Sequence, residues 1–129
     1  MDKGVQEWIS KAEEDYHSAL ALRRVRTFAS HNSVCFHAQQ CVEKLLKALL
    51  EKNKVVPRKI HALPILLDQC SVYYPLLSAF RPDMIRLSIY AVEFRYPGES
   101  ATLEDAKASI TIMKAARSEL LSLLQGHSA

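Results

Sequence analysis

Glycine is scarce in this chain of 129 residues, three against five prolines, which leaves little room for long flexible linkers. The lone Gly98 stands far from its fellows, so no phosphate-cradling loop or dinucleotide fingerprint can form; both need several glycines at fixed spacing. No CxxC and no HExxH occurs, which removes the common zinc sites. Cysteine is odd in number: Cys35, Cys41 and Cys70 sit in apolar helical surroundings, so they read as reduced thiols of a cytoplasmic protein. Long apolar runs are absent too, and nothing approaches the roughly 18 residues of a membrane span. The opening MDKGVQEWISKAEEDY lacks the apolar core of a secretory signal. Charge of one sign is also weak. A net +3 permits contact with RNA without demanding it.

What is present is helical. An apolar fraction of 49% and a charged fraction of 24% are ordinary for a globular protein, and the length suits a single domain over residues 1–129. The clearest stretch is CFHAQQCVEKLLKALL, Cys35 to Leu50. Val34, Ala38, Val42, Leu45 and Leu49 fall on one stripe at helical spacing, with Cys41 and Leu46 at its margins. The opposite face carries His37, Gln40, Glu43, Lys44, Lys47 and Glu51, and solvation is the simplest expectation for it. Phe36 also lies there, out of place on a polar face. A helix of roughly 21 residues and ~31 Å follows, with the rest of the chain packed around it.

The flanking segments repeat the period. Val5, Trp8, Ala12, Tyr16, Ala19 and Leu22 predict a first helix over about residues 4–25, with Asp15 on its solvated face and Arg23, Arg24 and Arg26 near its C-terminal end. Thr27 to Ser33 reads as a short polar connection, with Ser30 or Asn32 as N-cap, so the first two helices should be antiparallel neighbours. Asn53 to Lys59 reads as a loop. Pro64 opens a short helix through Leu63, Leu66, Leu67 and Cys70, with His61 just before it as a capping or packing residue. Pro82 and Asp83 start another through Met84, Leu87, Ala91 and Phe94, ended by Arg95-Tyr96-Pro97-Gly98. Thr102 and Asp105 form a capping pair for a last helix reaching Leu124. With no strand-like alternation, the expected fold is all-α: an up-and-down helical bundle of four main helices plus one short helix.

Few constellations could carry chemistry. On a helix His37 sits about 160° from Cys35, and Cys41 about 120° from it, so these three cannot converge on one ion. The expectation is no metal site. No serine elbow and no cysteine with a base in register is present, so no catalytic residue is assigned. What remains is His37, Gln40, Glu43, Lys44 and Lys47 along one helix, His61 at a helix start, and Arg95-Tyr96 at a helix end.

These pieces together resemble the HEPN domain family. CFHAQQCVEKLLKALL is similar to its central helix, flanked by WISKAEEDYHSAL before, IHALPILL after, and FRYPGE ahead of the last helix. The likeness runs from Trp8 to Leu124. It implies a bundle that dimerises, with a cleft at the subunit interface, which suits Phe36 and His37 as interface residues. Many members are paired with a minimal nucleotidyltransferase in toxin–antitoxin-like modules; others are metal-independent ribonucleases with an Arg-x(4–6)-His motif near a late helix. Here Arg95 is followed by YPGESATLE, with no histidine at that spacing. Arg24 and Arg26 stand at the right distance from His31, but between the first two helices.

The resemblance therefore implies a non-nuclease module binding a nucleotide or a protein partner, with no cofactor, no membrane association, and RNA permitted rather than indicated. On residue chemistry Lys44 and Lys47 would face phosphate, Arg95 would clamp it and Tyr96 would stack on a base. Gln40 and His61 would hydrogen-bond a ribose or base edge. A ribonuclease using Arg95 with His61 or His37 across a dimer, and a purely structural interaction module, stay open as alternatives.

Overall fold

A computed structural model describes residues 2–25, 28–57, 59–93 and 97–126. It contains α1 (Lys3–Arg23), α2 (Phe28–Lys52), α3 (Leu63–Ser71), a 3-10 turn (Pro75–Phe80), α4 (Arg81–Glu93) and α5 (Leu103–Leu124), and no strand among the described residues. The all-α reading is met by four longer helices and one short one. Arg95 and Tyr96 lie outside the described residues, as do Arg26, Thr27 and Phe94.

α2 is the central element. It packs against α1, α3, α4 and α5, so almost no face of it is left to water. Val34, Cys35, Ala38, Cys41, Val42, Leu45, Leu46 and Leu49 are all fully buried. Each such leucine removed from water stabilises by roughly 1.5–3 kcal/mol. α1 lies antiparallel beside it: Gly4 meets Glu51, Trp8 meets Lys47 and Asp15 meets Lys44 and His37. A Cβ at Gly4 would stand 2.6 Å from Glu51 Oε2, so a larger residue there would have to displace the end of that side chain. α5 is fastened to α1 by Arg117. Its guanidinium forms two hydrogen bonds of 2.9 Å to Glu13 and lies 3.9 Å from the centre of the Tyr16 ring.

The N-terminus of α2 differs from expectation. The helix begins at Phe28, so the stretch from 28 to 33 is helical rather than a connection. Ser30 and His31 are buried, and Asn32 Oδ1 accepts from the Ala101 backbone N–H at 2.6 Å. Asn32, a residue that looks like part of a loop, is there spent on a tertiary bond. At α3 the expected histidine cap is replaced by a neighbour: Ser88 Oγ of α4 accepts from Leu63 N–H at 3.1 Å. Thr102 and Asp105 form the anticipated capping box of α5. The other end of α5 is met by Lys52, whose ammonium donates to Leu123 O at 2.7 Å.

The three cysteines are free and buried, and burial raises each thiol from its ordinary 9.0, Cys35 to about 11 and Cys41 and Cys70 to about 12. Raised acids keep their protons in the folded state while the unfolded chain releases them, so stability falls as pH climbs above 9.0. The urea midpoint should therefore drop steadily from pH 9 up to about 12, and a thiol reagent at pH 8 should label the three cysteines only after unfolding. A second prediction concerns the end of α2. Val55 N–H bonds to Leu50 O and Lys54 N–H to Glu51 O, a Schellman closure that puts Lys54 at φ 64°. Lys54→Gly should raise stability by about 0.5–1 kcal/mol, read as a higher denaturant midpoint with unchanged slope.

Candidate functional site

Because α2 is surrounded, its polar face is not the solvated surface that periodicity suggests. Glu43 and Lys47 keep only 5% and 6% of their side chains exposed. An ion pair taken out of water is tolerated only when further hydrogen bonds meet its remaining lone pairs and protons. Here they do. Glu43 Oε2 accepts from Lys47 Nζ at 3.1 Å and from His61 Nδ1 at 3.0 Å, while Oε1 accepts from Gln39 Nε2 at 3.1 Å. The Lys47 ammonium also stands 5.6 Å from the centre of the Trp8 ring.

Gln39, itself buried, extends this network toward the surface. Its second amide hydrogen reaches His61 O at 3.3 Å, and its Oε1 accepts from Gln40 Nε2 at 3.0 Å. His61, held at ring and backbone, leaves 71% of its side chain in solvent. Gln40 is half-buried. The buried network therefore surfaces at these two residues.

A parallel cluster lies further along α2. Asp15 Oδ1 accepts from His37 Nδ1 at 2.7 Å and Oδ2 from Lys44 Nζ at 2.5 Å. Both clusters follow one plan, a sheltered carboxylate shared by a lysine and a histidine. The consequence for the predicted lysines is direct: the charge on Lys44 and on Lys47 is already met within the chain. Phe36 sits one turn away from Gln40, 41% exposed and edge-on to the His37 ring at 5.3 Å.

The structure thus brings Gln40, Lys47 and His61 into one network and puts Lys44 with His37 in another. Arg95 and Tyr96 fall outside the described residues. Asp15, Gln39 and Trp8 are the members that sequence reading missed. Asp15, expected on a solvated face, occupies the stripe Val5, Trp8, Ala12, Asp15, Ala19, at helical spacing, and is buried. A carboxylate in an apolar register was the available signal. Gln39 gave none, since neighbouring glutamines on a helix are usually exposed. Cys35 and Cys41 are both in the core, and His37 bonds to Asp15 of α1. Among the described residues no three metal-ligating side chains converge. No described helix is long and apolar enough to cross a membrane.

Replacing Glu43 by alanine would leave the Lys47 ammonium buried without its counter-charge. The expected cost is about 3–5 kcal/mol, measured by denaturant unfolding. Replacing the pair together, Glu43→Met with Lys47→Met, should cost distinctly less than the single change, because no lone charge remains inside.

Comparison with known proteins adds one positive finding. No curated protein and no solved structure matches the chain. Residues 5–123, nearly the whole of it, match the family model described as HEPN domain. The central helix α2 and the polar residues gathered on it fall inside the matched span, as do α1 and α5 apart from their outermost residues, and the chain belongs to the HEPN domain family.

Proposed function

We propose that this chain is a non-nuclease HEPN module that binds a nucleotide as a homodimer in the cytoplasm, as the companion of a minimal nucleotidyltransferase in a toxin–antitoxin-like pair. The family supports a nucleotide- or RNA-related role for a helical module of this kind. The observation that carries the reading to particular residues is the emergence of the buried network at His61 and Gln40. A polar system assembled at such desolvation cost, and open to water at one edge, suits recognition of a polar ligand. Arg95 would clamp phosphate and Tyr96 would stack on the base, while Lys44, a quarter exposed, is held by Asp15. Lys47 would act from inside, by holding Glu43. Self-association draws support from Phe36, whose exposed ring flanks the same edge.

One observation favours a second reading. A histidine fixed by a sheltered carboxylate is the arrangement that proton transfer uses, and here it occurs twice, at His61 and at His37. A metal-independent ribonuclease with Arg95 opposite one of these histidines across the dimer is the corresponding alternative.

Amide NMR titration with ATP, GTP and AMP separates the readings. Shifts gathered at Gln40, Lys44, His61 and Arg95 are expected; silence at millimolar ligand would remove nucleotide binding and leave the protein partner. Cleavage of single-stranded RNA by the metal-free chain, lost in His61→Ala, would replace the leading reading by the second. Phe36→Glu should convert the dimer to monomer in sedimentation equilibrium while leaving the helical signal unchanged; an unaltered mass would take Phe36 out of the interface.

A further inference from the structure

We propose that the cleft between the N-terminal half of α1 and the last turn of α2 binds an aliphatic ammonium group. Glu51 is its counter-charge and Trp8 the wall against which its methylenes lie. The site uses none of the residues assigned above to a nucleotide.

The cleft has a volume of about 280 Å³ and is lined by Gly4, Glu7, Trp8, Lys11 and Glu51. Positions 4, 7, 8 and 11 follow the spacing of a single helix face, and that face meets Glu51 at the end of α2. Drug-sized ligands occupy roughly 300–1,000 Å³, so this cleft suits a smaller group of a few heavy atoms.

Glu51 is the unusual member. Its Oε2 is closed to water and meets no hydrogen-bond donor among the described residues. A sheltered carboxylate oxygen without a donor leaves its desolvation cost unmet. The neighbouring lysines of α2 are committed elsewhere: Lys47 donates to Glu43, and Lys52 to Leu123 O. Lys11, inside the cleft, is paired with Glu14 at 3.4 Å. Glu7 adds a second carboxylate, exposed to solvent. Two carboxylates against one paired lysine give the cleft an excess of negative charge. Because Gly4 has no side chain, the Glu51 carboxylate lies directly against α1; a Cβ there would stand 2.6 and 3.0 Å from its two oxygens. Rotation about the last bond of that flexible side chain turns either oxygen toward the cleft.

This lining selects among ligands. Anions are repelled. A metal ion takes several protein ligands, and no three metal-ligating side chains converge among the described residues. A neutral alcohol brings one hydrogen and no charge, whereas an ammonium brings three donors and the charge that Glu51 lacks. The half-buried Trp8 ring supplies apolar surface for the attached methylenes. That ring already neighbours one ammonium, Lys47 Nζ, 5.6 Å from its centre.

Trp8 is the single tryptophan of the chain, so its fluorescence reports on this cleft. The test titrates the full chain, at constant ionic strength, with n-butylamine, n-butanol and Nα-acetyl-lysine methylamide, following Trp8 emission and amide NMR shifts. Butylamine should give a saturable response in the millimolar range, with shifts gathered at Gly4, Glu7, Trp8 and Glu51, and butanol none. Glu51→Gln removes an unmet charge and so keeps the fold; it should bind butylamine on the order of tenfold more weakly. Lys11→Gln, at an exposed position, should bind it more tightly, since a like charge is gone. Binding of the lysine derivative as tight as that of butylamine would identify the source as a lysine of a partner protein, and its exclusion a free amine; either supports the site. Silence toward butylamine, an equal response to butanol, or unchanged affinity in Glu51→Gln would each overturn the inference. Nucleotide binding is judged separately, by AMP, and stands or falls on its own.

Discussion

The ion pair between Glu43 and Lys47 is the constraint around which this domain is built. It exists because α2 is covered on nearly every side, by α1, α3, α4 and α5, so that residues four apart on its nominally polar face have nowhere to go but inward. Two charges in such a place must satisfy each other and find more partners, or the fold loses several kcal/mol. The partners come from three separate stretches: Trp8 of α1, Gln39 of α2 itself, and His61 ahead of α3. One electrostatic requirement thus ties the N-terminal helix, the central helix and the entry to α3 together.

That requirement also shapes the candidate site. Internal pairing neutralises the lysines, which a reading of residue types alone would assign to phosphate. What the network passes to the surface instead is a histidine and a glutamine held in place from within. The cluster of Asp15, His37 and Lys44 repeats the device with its histidine less open to solvent. Membership of the HEPN family gives this chemistry its context, a helical module concerned with nucleotides or RNA.

Elsewhere the domain relies on short-range devices at the helix ends. Asp2 and Thr102 accept from the first turns of α1 and α5, Ser88 serves α3 from another helix, and Lys52 meets the last carbonyls of α5. Arg81 pins α3 to α4 through a two-pronged contact with Asp68, which holds that carboxyl below its usual range. Exposed to solvent on both sides, this contact fixes orientation more than it adds stability.

Periodicity by itself determined the helices, the apolar stripe of α2, the antiparallel pairing with α1 and the capping box at Thr102, because each depends on residues a few positions apart. The order of quoted segments was enough to indicate the family. Where α2 begins, which of its polar residues are buried and what each of them bonds to were decided only by tertiary structure. Asn32 looked like a cap and proved to be a tie to Ala101; Asp15 looked solvated and proved to be an internal acceptor. The partners in these cases lie 22 to 69 positions away along the chain. A pattern read over a few turns cannot reach that far, since burial of a helix face is set by how many neighbours pack on it and not by the residues that the face carries.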